Sequence, residues 1–269
     1  MAFRGNVNLG LSATDVASAF VEARRAGRAI PAYPGDKPAD LATAYAIQDS
    51  ALALWRREIG GWKVGRIGPP DDARLGADRL AGPVFADTIV EADGSVPQMP
   101  IFAGGFAAVE AEFMLRLAPP PGAEIPATNA EAAQWVDAIR IGIEIASSPY
   151  PGINSDGPCV TVSDHGNNAG LVLGPEVGRE VWSDLDRIGV SMFVDERLVG
   201  RATTATMLDG PFGAVRFLLA NLRQRAIAPQ NGWWVSSGAI TGVHEIRPGS
   251  HFEADFEGIG LVRSSAASF

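Results

Sequence analysis

Cysteine, histidine and tyrosine are scarce in this chain, at one, three and three among 269 residues. The single cysteine, Cys159, excludes an intrachain disulfide and agrees with a reducing cytoplasm, the compartment expected here. A lone thiol of this kind is read first as a small buried or loop residue, not as a nucleophile. His165, His244 and His251 include no pair at zinc-ligand spacing, and no Gly-x-Ser-x-Gly elbow of a serine hydrolase occurs. Positive charge is also short, with 22 Lys and Arg against 31 Asp and Glu and a net charge of −9. The small basic cluster Arg223-Gln224-Arg225 is too thin to displace counterions from phosphates, so no nucleic-acid partner is expected. No run of about 18 apolar residues exists to span a bilayer, so no membrane partner is expected. The start Met1-Ala2-Phe3-Arg4-Gly5-Asn6 lacks the apolar stretch of a signal peptide.

Material for a core is ample, with 46% apolar and 20% charged residues. The length suits one main domain with a smaller layer attached. Ser12, with Asp15 three residues on, predicts a helix start that runs to Gly27. Leu41, Tyr45, Gln48, Leu52 and Trp55 share one helical face and predict a second helix over 40–59, stopped by Gly60-Gly61. Short β-type runs follow between glycines and prolines, over 62–67, 109–117, 139–145, 170–173, 188–194 and 232–236. Two helices interrupt them, over 130–138 with Asn129 as cap and over 211–225 with Pro211 in the first turn. The expected division is an N-terminal α/β layer over 1–75 and a β-rich catalytic domain over 76–269.

The run Val109 to Leu117 alternates strictly. Val109, Ala111, Phe113, Leu115 and Leu117 share one face, and Glu110, Glu112, Met114 and Arg116 share the other. In a strand the two glutamate Cα atoms lie roughly 6.6 Å apart, close enough for both side chains to meet one cation. Glu-x-Glu alone equally describes a strand with one solvated face. Ile141-Gly142-Ile143-Glu144-Ile145 adds a carboxylate to an otherwise apolar strand, where it must be paired, metal-bound or exposed. Three converging carboxylates need a cation between them, and an all-oxygen donor set suits Mg²⁺ or Mn²⁺ better than zinc.

Lys63 stands between glycines in Gly61-Trp62-Lys63-Val64-Gly65. Beside a metal-bound anion it could hold a carboxylate or exchange a proton; elsewhere it is a solvated lysine. Trp233 to Gly242 reads as a strand entering a glycine-rich turn. Ser237, Gly238 and Thr241 are candidates to cradle a substrate carboxylate, against the plainer reading of a hairpin turn. Ser163-Asp164-His165-Gly166-Asn167-Asn168 is a polar loop that either lines the site, with Asp164 toward substrate and His165 toward proton transfer, or merely caps its own turns.

These pieces, in this order, resemble the 2-keto-4-pentenoate hydratase / 4-oxalocrotonate decarboxylase family of the fumarylacetoacetate hydrolase superfamily. The resemblance rests on Ala44 to Gln48, Gly61 to Gly65, Gly82-Pro83, Glu110-Ala111-Glu112, Ile143-Glu144-Ile145, Ala169 to Gly174, Gly210-Pro211 and Ser237 to Gly242. It implies an α+β fold, a mixed β-roll core of the fumarylacetoacetate hydrolase type with an N-terminal helical α/β layer. It further implies a divalent metal on Glu110, Glu112 and Glu144, an active-site lysine at Lys63, and a homo-oligomer. The chain departs from the family pattern at Leu80, where hydratases often carry Asp, at Ser163 to Asn167, and at Ala146 to Pro149.

The expected reaction is hydration of a 2-hydroxy-2,4-dienoate to a 4-hydroxy-2-oxo acid, the metal stabilising an enolate and Lys63 orienting the anion or shuttling a proton. The rivals are metal-dependent decarboxylation of a 2-oxo-dioic acid and acylpyruvate-type C–C hydrolysis. Superfamily hydrolases place a His and a Glu on a short lid helix, and this chain has no His before residue 165. A fourth reading is a binding protein without activity.

Overall fold

Ser12 accepts the Asp15 N–H and Asp15 returns a carboxylate to the Ser12 N–H, so a capping box starts helix α1 (Ala13–Arg25). The computed structural model describes residues 12–92 and 94–269; the expectation for Met1–Asn6 lies outside them. Asp40 caps α2 (Leu41–Trp55) through the Thr43 N–H. This helix ends four residues before the predicted Ile59, because Arg56 takes the left-handed conformation, at φ 53°. Gly60 and Gly61 are therefore no helix stop; they lie inside β1 (Ile59–Arg66). A Cβ at Gly61 would fall 2.1 Å from the Trp234 carbonyl oxygen, so glycine is needed for close strand approach.

The chain continues through α3 (Asp71–Leu75), β2 (Arg79–Phe85), β3 (Ile89–Glu91), β4 (Gln98–Ile101) and β5 (Phe106–Leu117). The predicted helix over 130–138 shrinks to one turn, α4 (Asn129–Ala133), and its cap is Thr128, not Asn129. Val136 to Ala138 belong instead to β6 (Val136–Ser148), which pairs along the whole of β5. Twelve paired positions outweigh a weak helical preference. After β6 come α5 (Pro158–Ser163), β7 (Asn168–Glu176), β8 (Gly189–Val194), β9 (Arg197–Thr203), α6 (Gly210–Gln224), β10 (Trp234–Ser236), β11 (His244–Glu245), β12 (His251–Phe256) and β13 (Gly260–Ser268).

The strands form two sheets. The larger has the order β2-β1-β10-β5-β6-β7-β3, with β11 also on β5; the smaller has the order β4-β13-β12-β8-β9. Both directions of pairing occur, parallel at β1/β10 and antiparallel at β5/β6 and β6/β7. The apolar faces of β5 and β6, including Val109, Phe113, Leu115, Ile141 and Ile143, enter one core with Val190, Phe252, Phe256 and Val262 of the small sheet. Leu218, Leu219 and Leu222 of α6 close the same core. A second cluster joins Phe20 and Val21 of α1 and Ile47 of α2 to Tyr150, Ile153 and Val160, so the N-terminal helices pack on the segment around α5.

Candidate metal centre

Register brings the carboxylates together. Glu110 on β5 lies directly opposite Glu144 on β6, and Glu112 lies opposite Gly142. Directly paired residues project to the same side of the sheet, so all three acids share one face. One oxygen from each can be chosen so that all lie within 4.8 Å of one another. The face is not solvated: Glu110 is 4% exposed, and Glu112 and Glu144 are fully buried. Gly142 makes room for Met114, whose side chain a Cβ there would strike at 2.7 Å.

On Glu112 and Glu144 the protein hydrogen-bonds one oxygen and not the other, although Glu144 Oε2 lies 3.3 Å from Lys63 Nζ. Glu112 Oε2 accepts from Ser236 Oγ and from the Gly238 N–H, at 2.8 Å for the latter. Glu144 Oε1 accepts from Asn168 Nδ2 at 2.9 Å. Glu112 Oε1 and Glu144 Oε2 are buried without a hydrogen bond. Orphaned carboxylate oxygens of this kind are costly unless a cation takes them. The set is all-oxygen and trianionic, so it fits a hard divalent cation.

Lys63 on β1 joins the group. Its neighbour across the parallel pair is Ser236, which in turn pairs with Met114 of β5. Lys63 Nζ is 3.3 Å from Glu144 Oε2 and donates to Asn167 Oδ1 at 3.4 Å. Burial alone would lower its pKa, but Glu144, Glu110 and Glu112 outweigh that and raise it, so Nζ stays cationic. Burial raises Glu110 to about 7, against the pull of Lys63, with Glu144 adding to the rise. Burial, then Glu144 and Glu110, push Glu112 well above the ordinary carboxylate value. With all three acids ionised, one positive charge would face three negative ones, an excess of two that a divalent cation would cancel, and without it burial and mutual repulsion hold Glu110 and Glu112 toward their protonated forms.

A cavity of about 260 Å³ opens on Lys63 and Glu110, with Leu80, Asn154, Thr161 and Asn167 among its lining. Asn154 Oδ1 accepts from Asn167 Nδ2 at 2.8 Å, fixing the amide that faces Lys63. The departure at Leu80 falls on this wall.

Other predicted residues go elsewhere. Asp164 accepts from Arg24 Nε at 2.6 Å, from Arg24 Nη2 at 2.9 Å and from Ser148 Oγ at 2.7 Å, fully buried and off the cavity lining. Burial would raise its pKa, yet Arg24 holds it well below the usual range. The carboxylate expected beside the substrate is thus engaged in a buried ion pair with Arg24. His165 is likewise off the lining; Nδ1 meets Asp164 Oδ1 at 3.0 Å and the ring lies against Trp55 and Phe85. Burial lowers its pKa, which favours the neutral ring. Gly238 gives its N–H to Glu112, Ser237 Oγ accepts the Phe113 N–H, and Thr241 Oγ1 meets His244 Nε2. The turn thus cradles a carboxylate, but it belongs to the protein. Ser237 and Gly238 line a smaller adjoining cavity, and Ala239 reaches the main one.

Asn167, Asn168 and Ser236 were missed as partners, although their loop and strand were read as site elements. The signal was present in the turn itself. His165, Gly166 and Asn167 have φ of 58°, 62° and 59°, three successive left-handed residues. Two are not glycine, at a cost of roughly 1–3 kcal/mol each, and such strain gathers where side chains must be aimed. A Cβ at Gly82 would strike the His165 carbonyl oxygen at 2.0 Å, so Gly82 lets the turn sit on β2.

No family model matches the chain. The 2-keto-4-pentenoate hydratase 1 of Dechloromonas aromatica (strain RCB) is 30% identical over 270 residues, covering 95% of this chain and 97% of that protein. The chain belongs to the 2-keto-4-pentenoate hydratase / 4-oxalocrotonate decarboxylase family. A second member of that family, the 4-oxalocrotonate decarboxylase of a Pseudomonas species, is 27% identical over 255 residues, covering 93% of this chain and 96% of its own. Among solved structures, the 4-oxalocrotonate decarboxylase from Pseudomonas putida G7 complexed with magnesium and adipate superposes with a TM-score of 0.77 at 20% identity, over 94% of this chain and 97% of that one. The fumarylpyruvate hydrolase from Pseudomonas aeruginosa in complex with Mn²⁺ and pyruvate gives 0.56 at 17% identity, over 77% and 89%. These likenesses show that the chain shares the fold of those two structures.

Proposed function

We propose that this chain is a metal-dependent hydro-lyase that hydrates a 2-hydroxy-2,4-dienoate to a 4-hydroxy-2-oxo acid, with Glu110, Glu112 and Glu144 holding Mg²⁺ or Mn²⁺. The observation that carries this is the buried trio itself, with candidate ligand oxygens within 4.8 Å, Glu112 Oε1 without a hydrogen bond, and Glu144 Oε2 meeting only the cationic Lys63 at 3.3 Å. Relatives named as hydratases support the reaction class. The solved relative that holds magnesium supports the ion.

When bound, the metal supplies Lewis acidity that favours negative charge on the 2-oxygen of the substrate. Lys63 Nζ offers a fixed positive charge to an anionic acid and holds the proton nearest the carboxylates. Asn167, pinned by Asn154, keeps Nζ in place. Thr161 Oγ1 donates to the Ile153 carbonyl, leaving its lone pairs for a water or substrate hydroxyl. Leu80, Ile67 and Val243 give the cavity an apolar wall suited to a hydrocarbon chain. At about 260 Å³ the cavity is smaller than drug-sized pockets, which run roughly 300–1,000 Å³, and matches a small acid.

Decarboxylation of a 2-oxo-dioic acid is the second reading, and Arg66 favours it. This exposed residue lines the same cavity, with no ion-pair partner among the described residues, and its guanidinium could meet a distal carboxylate. Purified protein given each substrate with Mg²⁺ decides between them: loss of the dienol ultraviolet band with a 4-hydroxy-2-oxo acid as product supports hydration, CO₂ release supports decarboxylation, and neither outcome with intact Mg²⁺ binding removes both. Leu198 and Val199, exposed on the edge strand β9, support a homo-oligomer, which sedimentation would test.

A further inference from the structure

We propose that Arg24, on α1 of the N-terminal layer, is a positioning residue for the metal centre. Its guanidinium clamps both ends of the left-handed turn 165–167 and so sets Asn167 against Lys63 and Asn168 against Glu144. The inference rests on the reading of Glu110, Glu112 and Glu144 as metal ligands.

Arg24 Nη1 donates to the Asn168 carbonyl at 3.0 Å, and Nη2 reaches the Asp164 carbonyl at 3.4 Å. One planar group therefore grips the backbone on either side of the turn. Nη2 also donates to the Ser147 carbonyl at 3.1 Å, near the end of the strand that carries Glu144. The Asp164 carboxylate holds the guanidinium from Nε and Nη2, and Ser148 Oγ and His165 Nδ1 hold the carboxylate. Nothing in this set lines the cavity, so Arg24 acts through the asparagines and not on substrate.

The clamp has a mechanical reason. His165 and Asn167 are non-glycine residues at positive φ, a conformation that persists only where the surroundings over-determine it. Release of either carbonyl lets the turn relax and swings Asn167 and Asn168 away from Nζ and Oε1. A ligand carboxylate that loses its outer hydrogen bond binds metal less tightly. Lysine at position 24 would keep the charge but has no fork to bridge two carbonyls.

The test is a double-mutant cycle on the full chain with R24K, N168A and the pair, reading the Mn²⁺ dissociation constant by calorimetry and the melting temperature. R24K and N168A are each expected to weaken Mn²⁺ binding about tenfold. The double variant is expected to be no weaker than the worse single, because both act on one hydrogen bond. V21A, which loosens the same helix without touching the clamp, is expected to melt lower and bind Mn²⁺ as wild type. Unchanged Mn²⁺ affinity in R24K, multiplied penalties in the pair, or loss of affinity in V21A would overturn the proposal. If R24K does not fold, R24Q/D164N removes both buried charges together and takes its place in the cycle, read the same way. A wild-type chain that binds no Mn²⁺ would instead remove the ligand assignment.

Discussion

Two buried ionic clusters stand on either side of the turn 165–167, and their bookkeeping differs. In the Arg24–Asp164 cluster one cation meets one anion, His165 is held toward its neutral form, and the carboxylate is filled by Arg24, Ser148 and His165. In the Lys63 cluster one cation meets three carboxylates; Glu112 Oε1 and Glu144 Oε2 have no hydrogen bond, and Oε2 has only the Lys63 ammonium at 3.3 Å. The first cluster is complete as protein and serves architecture. The second holds more buried carboxylates than its one lysine can balance, and that excess is what supports the proposed metal site. Burial alone does not distinguish them, since Asp164 and Glu144 are equally inaccessible; the satisfaction of each oxygen does.

The largest expected effect breaks the complete cluster. D164A leaves Arg24 buried without a partner and should destabilise the fold by about 3–5 kcal/mol, read from urea melts. Wild-type stability in that variant would show that the pair is not structural. Next comes the incomplete cluster, where the sign reverses for the metal-free protein. E112Q removes a carboxyl whose ionised form burial and its acidic neighbours disfavour, so its metal-free melting temperature should hold or rise, while turnover with Mg²⁺ should fall by roughly 10²–10³-fold, the scale of losing one preorganised stabilising group. A variant that keeps full turnover would take Glu112 out of the ligand set. A smaller effect is expected from S236A, which removes the hydroxyl donor to Glu112 Oε2 and should weaken Mg²⁺ binding by about 10–100-fold with little change in melting temperature.

The smallest effect sharpens the contrast by pH. Glu110 has an ordinary value of 4.5, raised to about 7 in the metal-free fold. The folded state then binds more protons than the unfolded state between those values, so metal-free stability falls as pH rises through that window. Metal opposes this, and the Mg²⁺-induced rise in melting temperature should grow from about pH 5 to about pH 8. Asp164 runs the other way: its lowered pKa contributes stability above the ordinary value of 3.8 that is lost as pH falls through its folded value. A Mg²⁺ effect independent of pH would contradict the first half, and acid tolerance equal in wild type and D164N the second.

Much of the site was legible in order and type. Strict alternation put Glu110 and Glu112 on one face, and the lone acid among isoleucines marked Glu144. The expectation erred where a residue's partners lay far along the chain. Asp164 and His165 looked like site residues because a polar loop is the same string whether it faces a cavity or an arginine 140 positions away. Gly60-Gly61 looked like a helix stop because the Trp234 backbone that requires glycine is remote in sequence. The helix over 130–138 failed for the same reason, since β5 recruits Val136 to Ala138 into its own ladder.

By itself the sequence determined the facing of each acid along its strand and carried the resemblance to the family, because side-chain alternation and residue chemistry are local properties. Only the tertiary structure decided that Glu110 and Glu144 are register partners, that Asp164 is consumed by Arg24, and that Asn167 and Asn168 are the residues aimed at the centre. Those facts depend on strand register and on contacts across more than a hundred residues, where free energy is set by which distant groups fill each buried valence.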